Sequence, residues 1–371
     1  MPLAVQKYGG SSLATPDLIR ALAERIVARY DTGDKLVIVV SAMGGTTNSL
    51  EAKAYALSDD PDPREVDMLI SIGERESISL MAIAVNNIRP GLAVSFTGSQ
   101  IGLITDTNHR NARILEIKGD RLIEALKKGR IPIIAGFQGV SVEKQITTLG
   151  RGGSDTTAVA VTAALSKEFP DAVCEIYSDV IGVYSGDPKL VESPVLIKNL
   201  DYETMLTISS LGAKVLKDAA VDYAHRLGVQ ISTGLSSSGE IGTVISNEAT
   251  LDRNKYASLV YNDRLRFVNA DLNDKCFEMM SKIRYLQRSA SCVLKIYDAP
   301  DIIGSSKCFS VAITGSGLKS DPEKLEKMTD ILENASNIIA IELSEIKFEV
   351  YVRKSVGKDT LNLIHDLFFR T

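Results

Sequence analysis

Over its first two-thirds the chain alternates between short apolar runs and longer stretches with helical spacing. Leu3–Lys7 is a short apolar run that stops at Gly9 and Gly10, as a buried strand entering a turn would. Thr15 followed by Pro16 supplies a helix N-cap and a first-turn proline, and Leu18, Ile19, Leu22, Ile26 and Val27 then recur along one helical face. Leu36–Val40 is continuous, short and β-branched, which fits a strand covered on both faces. The rhythm repeats with a long helix predicted over Arg64–Asn86, a strand at Leu92–Phe96 and a helix over Arg121–Lys128. A strand at Ile131–Ala135, a helix over Ser154–Phe169 and a strand at Val173–Tyr177 follow. Strands alternating with helices imply an α/β fold, a mostly parallel sheet sandwiched by helices.

Near residue 250 the pattern changes. Asn247–Lys255 is polar and unpatterned, which places an expected boundary between a domain at 1–250 and a C-terminal region at 251–371. Beyond it come shorter units: strand Ala257–Tyr261, helix Asp274–Tyr285, strands Cys292–Tyr297 and Cys308–Thr314. Helix Glu323–Ala335, strands Ile338–Leu343 and Phe348–Val352, and helix Asp359–Phe368 complete what reads as two small α+β units in tandem. A chain of 371 residues exceeds what one hydrophobic core usually organises, so division into domains is expected on size alone.

Composition changes this picture little. Hydrophobic residues at 44% and charged residues at 24% are ordinary for a globular protein. A formal net charge of -5 lacks the basic footprint of a nucleic-acid binder. Cys174, Cys276, Cys292 and Cys308 form no close pair, and they are too few for a disulfide framework, so a reduced compartment is expected. The first residues, MPLAVQKYGGSS, lack the basic-then-apolar order of a signal peptide, and no apolar run approaches the roughly 18 residues that cross a bilayer. The expectation is a cytoplasmic protein without membrane partners.

Candidate chemistry concentrates where strands hand over to helices. Five such junctions are rich in Gly, Ser, Thr and charge: Lys7-Tyr-Gly-Gly-Ser-Ser12, Ser41-Ala-Met-Gly-Gly-Thr-Thr-Asn48, Thr97-Gly-Ser-Gln100, Gly150-Arg-Gly-Gly-Ser-Asp-Thr-Thr157 and Ser178-Asp-Val-Ile-Gly-Val-Tyr-Ser-Gly-Asp-Pro188. In open α/β sheets ligands gather at the carboxyl ends of strands, where glycines let backbone N–H groups approach phosphate and the next helix N-terminus favours negative charge. Any one Gly-Ser loop is more often a plain turn; five at the same kind of junction point to phosphate. Neither a G-x-x-x-x-G-K-[ST] loop nor a strand-linked G-x-G-x-x-G is present, which disfavours a P-loop NTPase and a Rossmann dehydrogenase. His109, His225 and His365 are isolated in sequence, so no metal cluster is expected.

The segments KYGGSS, VVSAMGGTTNSL, SIGERESISL, TGSQIGLIT, AGFQG, TTLGRGGSDTTA, YSDVIGVYSGDP and LGAKVL stand in one order across nearly all of residues 1–250. They resemble the successive motifs of the aspartate kinases, a branch of the amino-acid kinase superfamily. The resemblance implies transfer of the ATP γ-phosphate to the side-chain carboxylate of L-aspartate, giving 4-phospho-L-aspartate at the entry to lysine, threonine and methionine synthesis. ATP with Mg2+ is the implied cofactor pair. By the same resemblance Lys7 neutralises the phosphoryl group in flight, beside a phosphate cradle of Gly9, Gly10 and Ser11, and Asp155 organises that lysine and the nucleophile. A compact ammonium suits charge spread over phosphate oxygens. Without the family match Lys7 would read as a solvated strand-end lysine, and Asp155 as a helix cap. Arg151, between Gly150 and Gly152, would grip a substrate carboxylate with its planar fork, and Glu74 would pair with the substrate ammonium group. Composition alone would make Glu74 a helix-surface residue. Thr47, Gly152 and Ser154 match positions around the amino acid, while Ser178, Asp179, Tyr184, Asp187 and Lys214 match the nucleotide-binding stretch.

Two departures stand out. After LGAKVL the family usually continues with His-Pro, whereas this chain has Lys217-Asp-Ala-Ala220. The C-terminal order resembles a pair of ACT modules, which implies a homodimer or higher assembly, but the usual Asn-Ile-Asp-Met-Ile effector motif is replaced by Asn337-Ile-Ile-Ala-Ile341. Regulation by lysine or threonine and a purely dimerising role are both compatible with these residues. So are a related kinase with a shifted acceptor in a specialised pathway and a catalytically silent amino-acid sensor; intact Lys7 and Asp155 speak against the sensor.

Overall fold

The computed structural model describes residues 3–213, 215–247, 256–269, 286–288, 293–297 and 305–370. By contacts the chain forms two compact units, the first comprising Met1–Val183, Lys198–Tyr202 and Val215–Ala249, the second Tyr184–Ile197, Glu203–Lys214 and Thr250–Thr371. Segments 184–197 and 203–214, read from sequence as part of the first domain, thus group with the C-terminal unit. Among the described residues no helix is long and apolar enough to cross a membrane.

The first unit begins with β1 (Leu3–Tyr8), α1 (Pro16–Asp31), β2 (Lys35–Val40), α2 (Thr46–Tyr55), α3 (Pro63–Ile70) and α4 (Ile72–Ile88). It continues with β3 (Ala93–Phe96), β4 (Leu103–Thr105), β5 (Ile114–Ile117), α5 (Asp120–Lys127), β6 (Ile131–Ala135), β7 (Gln138–Ser141) and β8 (Ile146–Thr148). Then come α6 (Gly153–Leu165), β9 (Val173–Ser178), β10 (Asn199–Leu200), α7 (Tyr202–Ser210), α8 (Asp218–Leu227), β11 (Ile231–Leu235) and β12 (Ile241–Ile245). All but the first residue of α7 belongs to the second unit.

The main sheet has eight strands in the order β10-β12-β11-β9-β1-β2-β6-β3. Its central pairs are parallel, with Lys7 level with Val39 of β2 and Ile176 of β9, and only β11–β12 is antiparallel. From β1 the chain moves outward to β2 and later returns to lay β9 on β1's other side, so the order reverses there. That is where open sheets leave a crevice at their carboxyl ends. Thr15 caps α1 by accepting from Leu18 N–H, with Pro16 in the first turn. Ile19, Leu22, Ala23 and Ile26 of α1, with Ile78, Met81 and Val85 of α4, cover one sheet face over Ala4, Tyr8, Ile38 and Ile133. Helix α6 lies against β1, β2 and β9. It is buried along nearly its whole length, from Gly153 to Leu165.

A second, four-stranded sheet, β5-β4-β7-β8, was not anticipated. The helix expected over Arg64–Asn86 is instead two helices that bend at Ser71. The Ser71 carbonyl accepts from Gln138 Nε2 at 2.8 Å and its hydroxyl donates to Met68 O at 3.0 Å, so distant and local side-chain bonds compete with the helical ladder there.

In the second unit β13 (Tyr256–Asn269), β14 (Leu286–Arg288), β15 (Val293–Tyr297), β16 (Ser305–Gly315), β17 (Ile338–Leu343) and β18 (Lys347–Val352) form an antiparallel sheet, order β14-β15-β13-β16-β18-β17. Helices α9 (Pro322–Ala335) and α10 (Lys358–Phe369) close its core through Met328, Leu332, Ile364 and Phe368 over Val311, Ile313 and Val350. This is an ACT-like α+β arrangement; the helix expected over Asp274–Tyr285 lies outside the described residues. Segment 184–197 joins this core through Val191, and Leu259 N–H donates to Ser185 O at 2.8 Å. Segment 203–214 is held by Asn262 Nδ2, which donates to Leu211 O at 2.9 Å.

Candidate active site

Strand β1 alternates faces. Ala4 and Tyr8 enter the core beneath α1 and α4, which turns Lys7 to the α6 side. There Lys7 Nζ meets Asp155 Oδ1 at 2.6 Å, with the two side chains 13% and 8% exposed. Asp155 is in the first turn of α6, where the positive helix end suits a negatively charged side chain. A Cβ at Gly9 would come 3.7 Å from Lys7 Nζ, which places the ammonium beside the glycine turn that opens the short 3-10 turn Gly10–Leu13 carrying exposed Ser11.

The turns after β1 and β2 are joined. Ser41 N–H donates to Tyr8 O and Gly44 N–H to Gly10 O, both at 3.1 Å. A Cβ at Gly10 would meet Ala42 O at 2.5 Å, so a side chain there would force the turns apart. Gly45, at φ +84, turns the chain into α2, whose first turn bears the half-buried Thr47. Helix α4 approaches the same turn so closely that a Cβ on Gly73 would come 2.7 Å from Ala42 Cβ. The next residue, Glu74, is only 3% exposed, which overturns a helix-surface role. Its Oε1 accepts from Ala42 N–H at 3.1 Å, while its buried Oε2 has no hydrogen-bond partner among the described residues. Burial pushes its carboxyl up to about 7, only partly offset by the Ala42 bond. A buried carboxylate with one open oxygen is a receptor for a cation.

The Arg151 loop is built by close approaches. Gly150 and Gly152 adopt φ +75 and +80, and a Cβ on Gly136 would sit 2.7 Å from Ser154 Oγ. Leu149 N–H donates to Phe137 O at 2.9 Å and Phe137 N–H to Thr157 Oγ1 at 3.1 Å. Exposed Arg151 has no partner among the described residues. Behind the loop lies a residue that sequence reasoning missed. Asp67, fully buried on α3, accepts from Thr148 Oγ1 at 2.6 Å, Thr148 N–H at 3.1 Å and Arg110 N–H at 3.0 Å, and its Oδ2 lies 2.8 Å from His109 Nδ1. It thereby ties the strand leading to Arg151, and the 109–110 turn, onto one helix. Its signal was present: Asp67, Ile70, Glu74, Ile78 and Met81 share a helical stripe that includes two acids.

The remaining expected residues belong to different units of the chain. Ser178 and Asp179 follow β9 in the first unit, and Ser178 Oγ bonds the backbone of Val180. Tyr184 and Asp187 fall in the second unit, where Asp187 Oδ1 accepts from Lys189 N–H at 2.8 Å. Lys214 lies outside the described residues. Among the described residues there is no group of three or more His, Cys, Asp or Glu able to hold a metal ion. Cys174 and Cys308 are both buried, and burial pushes the Cys174 thiol up to about 12.

The described geometry comprises a lysine–carboxylate pair at a glycine turn, a buried carboxylate bonded to the adjoining turn after β2, and an exposed arginine in the loop that enters α6. It suits transfer of a phosphoryl group to a zwitterion. The amino acid kinase family profile matches residues 2–232. The aspartokinase of Mycolicibacterium smegmatis is 38% identical, over 99% of this chain and 96% of that protein. Aspartokinase 2 of Bacillus subtilis is 35% identical, over 99% and 98%. In fold, E. coli aspartokinase III, solved with aspartate and ADP, superposes with a TM-score of 0.80 at 20% identity, covering 99% of this chain and all of that one. The chain belongs to the aspartokinases of the amino acid kinase family.

Proposed function

We propose that the chain catalyses attack of the L-aspartate β-carboxylate on the γ-phosphorus of ATP, and that its loops divide the work as follows. A carboxylate oxygen forms the new O–P bond as the bond to the β,γ-bridging oxygen breaks, and ADP departs with that electron pair. The acceptor carboxylate is ionised at neutral pH, so no general base is required. What the protein must supply is position and neutralisation of charge. Lys7 supplies the charge at the moving phosphoryl group, and Asp155 fixes the ammonium in place. The Gly9–Gly10–Ser11 turn cradles phosphate. Glu74 Oε2 receives the substrate ammonium and Arg151 the α-carboxylate, with Thr47, Gly152 and Ser154 lining the acceptor.

The observation that carries this reading is the 2.6 Å Lys7–Asp155 pair at the strand-order reversal, with the buried open oxygen of Glu74 across the joined turns. Magnesium enters with ATP, held by its phosphates as part of the substrate, where it offsets their charge. The assignment of Ser178, Asp179, Tyr184, Asp187 and Lys214 to the nucleotide rests on the motif resemblance alone. The ACT-like unit is proposed to mediate self-association and, in response to lysine or threonine, regulation. A cytoplasmic location belongs to the same proposal, resting on ATP as substrate and on a sequence without closely spaced cysteines.

The test is ADP release with L-aspartate, D-aspartate, L-glutamate, succinate and L-asparagine, with the acyl phosphate trapped by hydroxylamine. L-aspartate is expected to be strongly preferred and to give the hydroxamate. Equal turnover of succinate would remove the role of Glu74 as ammonium receptor. Absence of turnover with every acceptor would remove the kinase itself.

A further inference from the structure

The sequence departs from its family's usual His-Pro at Lys217-Asp218, and the structure places that departure against the acceptor loop. Lys217 is the N-cap residue of α8, yet its side chain makes no capping bond. Its stem instead runs across Gly152, the left-handed N-cap of α6: a Cβ built on Gly152 would lie 2.6 Å from Lys217 Cβ, with Cγ closer still. The N-caps of two helices, thirteen and ten residues long, are thus in contact.

This is a poor place for a lysine on structural grounds. Ser, Thr, Asp or Asn would cap α8 better, and a cation faces the positive pole of two helices. Arg151 adds a second cation next to Gly152. Both side chains are exposed, and neither has an ion-pair or hydrogen-bond partner among the described residues. Asp155 and Asp218 place carboxylates in the first turns of the two helices, but Asp155 pairs with Lys7 and neither acid pairs with Arg151 or Lys217, so the two cations flanking Gly152 are left for an added anion. The acceptor brings one, because the L-aspartate α-carboxylate takes no part in the chemistry and has two oxygens to share between two cations.

We infer that Lys217 is a second binding residue for the α-carboxylate of the acceptor, acting beside Arg151. The inference rests on the acceptor assignment proposed above. Arg151 supplies the planar fork, and Lys217 supplies a point charge that completes the carboxylate's second oxygen. Because the interaction is the same in ground and transition states, it lowers KM without changing kcat.

Lys217→Met separates charge from packing, since methionine keeps an unbranched stem over Gly152. The full chain is assayed with L-aspartate, and L-aspartate affinity is measured in parallel by calorimetry, which needs no turnover. Lys217→Met is expected to raise KM and Kd for L-aspartate about tenfold, with kcat and KM for ATP within about twofold of wild type. Lys217→Arg should recover most of the loss. With aspartate α-amide, which lacks the α-carboxylate, wild type and Lys217→Met should have equal KM. A wild type active on L-aspartate whose KM is unmoved by Lys217→Met would assign Lys217 to packing and overturn the inference alone. A penalty that persists undiminished with the α-amide would also overturn it, moving the lysine's action to another group. A wild type that neither binds nor phosphorylates L-aspartate would remove the acceptor assignment and this inference together.

Discussion

Replacing Glu74 by glutamine should stabilise the free protein while disabling it. The carboxyl is buried, one oxygen is bonded to Ala42 N–H, the other has no partner among the described residues, and its pKa is pushed from 4.5 to about 7. Between those values the folded state holds a proton that the unfolded state has released, so stability falls as pH rises through the window. The accumulated cost is near zero below about pH 4.5 and reaches about 3 kcal/mol above about pH 7, from some 2.5 pKa units at 1.36 kcal/mol each. Glutamine keeps the acceptor for Ala42 and never ionises. Urea unfolding of the first unit, followed from pH 4 to 9 without ligand, should therefore show Glu74→Gln overtaking wild type by about 3 kcal/mol at alkaline pH. Saturating L-aspartate should reverse the order, because an ammonium beside Oε2 stabilises the ionised carboxylate of the wild type only. For the same reason wild-type KM for L-aspartate should rise about tenfold per pH unit below pH 7. A stability difference that does not depend on pH would refute the account of Glu74 as a buried, uncompensated carboxylate.

Three further outcomes are expected. Lys7→Ala should lower kcat by about 100- to 1,000-fold with KM for L-aspartate changed little, measured by coupled ADP release; an unchanged kcat would remove Lys7 from the chemistry. Arg151→Ala should raise KM for L-aspartate about 10- to 100-fold with kcat largely preserved in the same assay, as loss of a charged bidentate contact requires. Asp67→Asn should cost about 3 kcal/mol in thermal unfolding, because an amide cannot accept from all the donors that now face the carboxylate. It should also raise KM for L-aspartate without touching the substrate, since Thr148 anchors the strand that carries Arg151.

The parallel sheet was legible because its strands are unbroken apolar runs bounded by glycine, and Leu36–Val40 and Ile131–Ala135 needed no long-range information. The position of Lys7 at a strand end beside two glycines was legible as well, since it is local, but its catalytic role came only from the motif resemblance. The bend at Ser71 was not, because the Gln138 side chain that engages its carbonyl is 67 residues away. Strands β4, β5, β7 and β8 are three or four residues each, too short for a period of two to register. Asp67 lies on a legible apolar stripe, but its role was not legible, because its partners at 109–110 and 148 are brought in only by the fold. Segment 184–197 joins the second unit through Val191 and Ser185, contacts that no periodicity within the segment encodes.

The central claim is that glycine-lined strand ends of the first unit gather Lys7, Glu74, Arg151 and Asp155 about a phosphate and a zwitterionic acceptor. A crystal structure of the complex with L-aspartate and ADP tests it most directly. The account places the substrate ammonium within about 3.2 Å of Glu74 Oε2, the α-carboxylate on Arg151 and the β-carboxylate facing Lys7. Aspartate bound with its ammonium away from Glu74, or its β-carboxylate turned from Lys7, would contradict it.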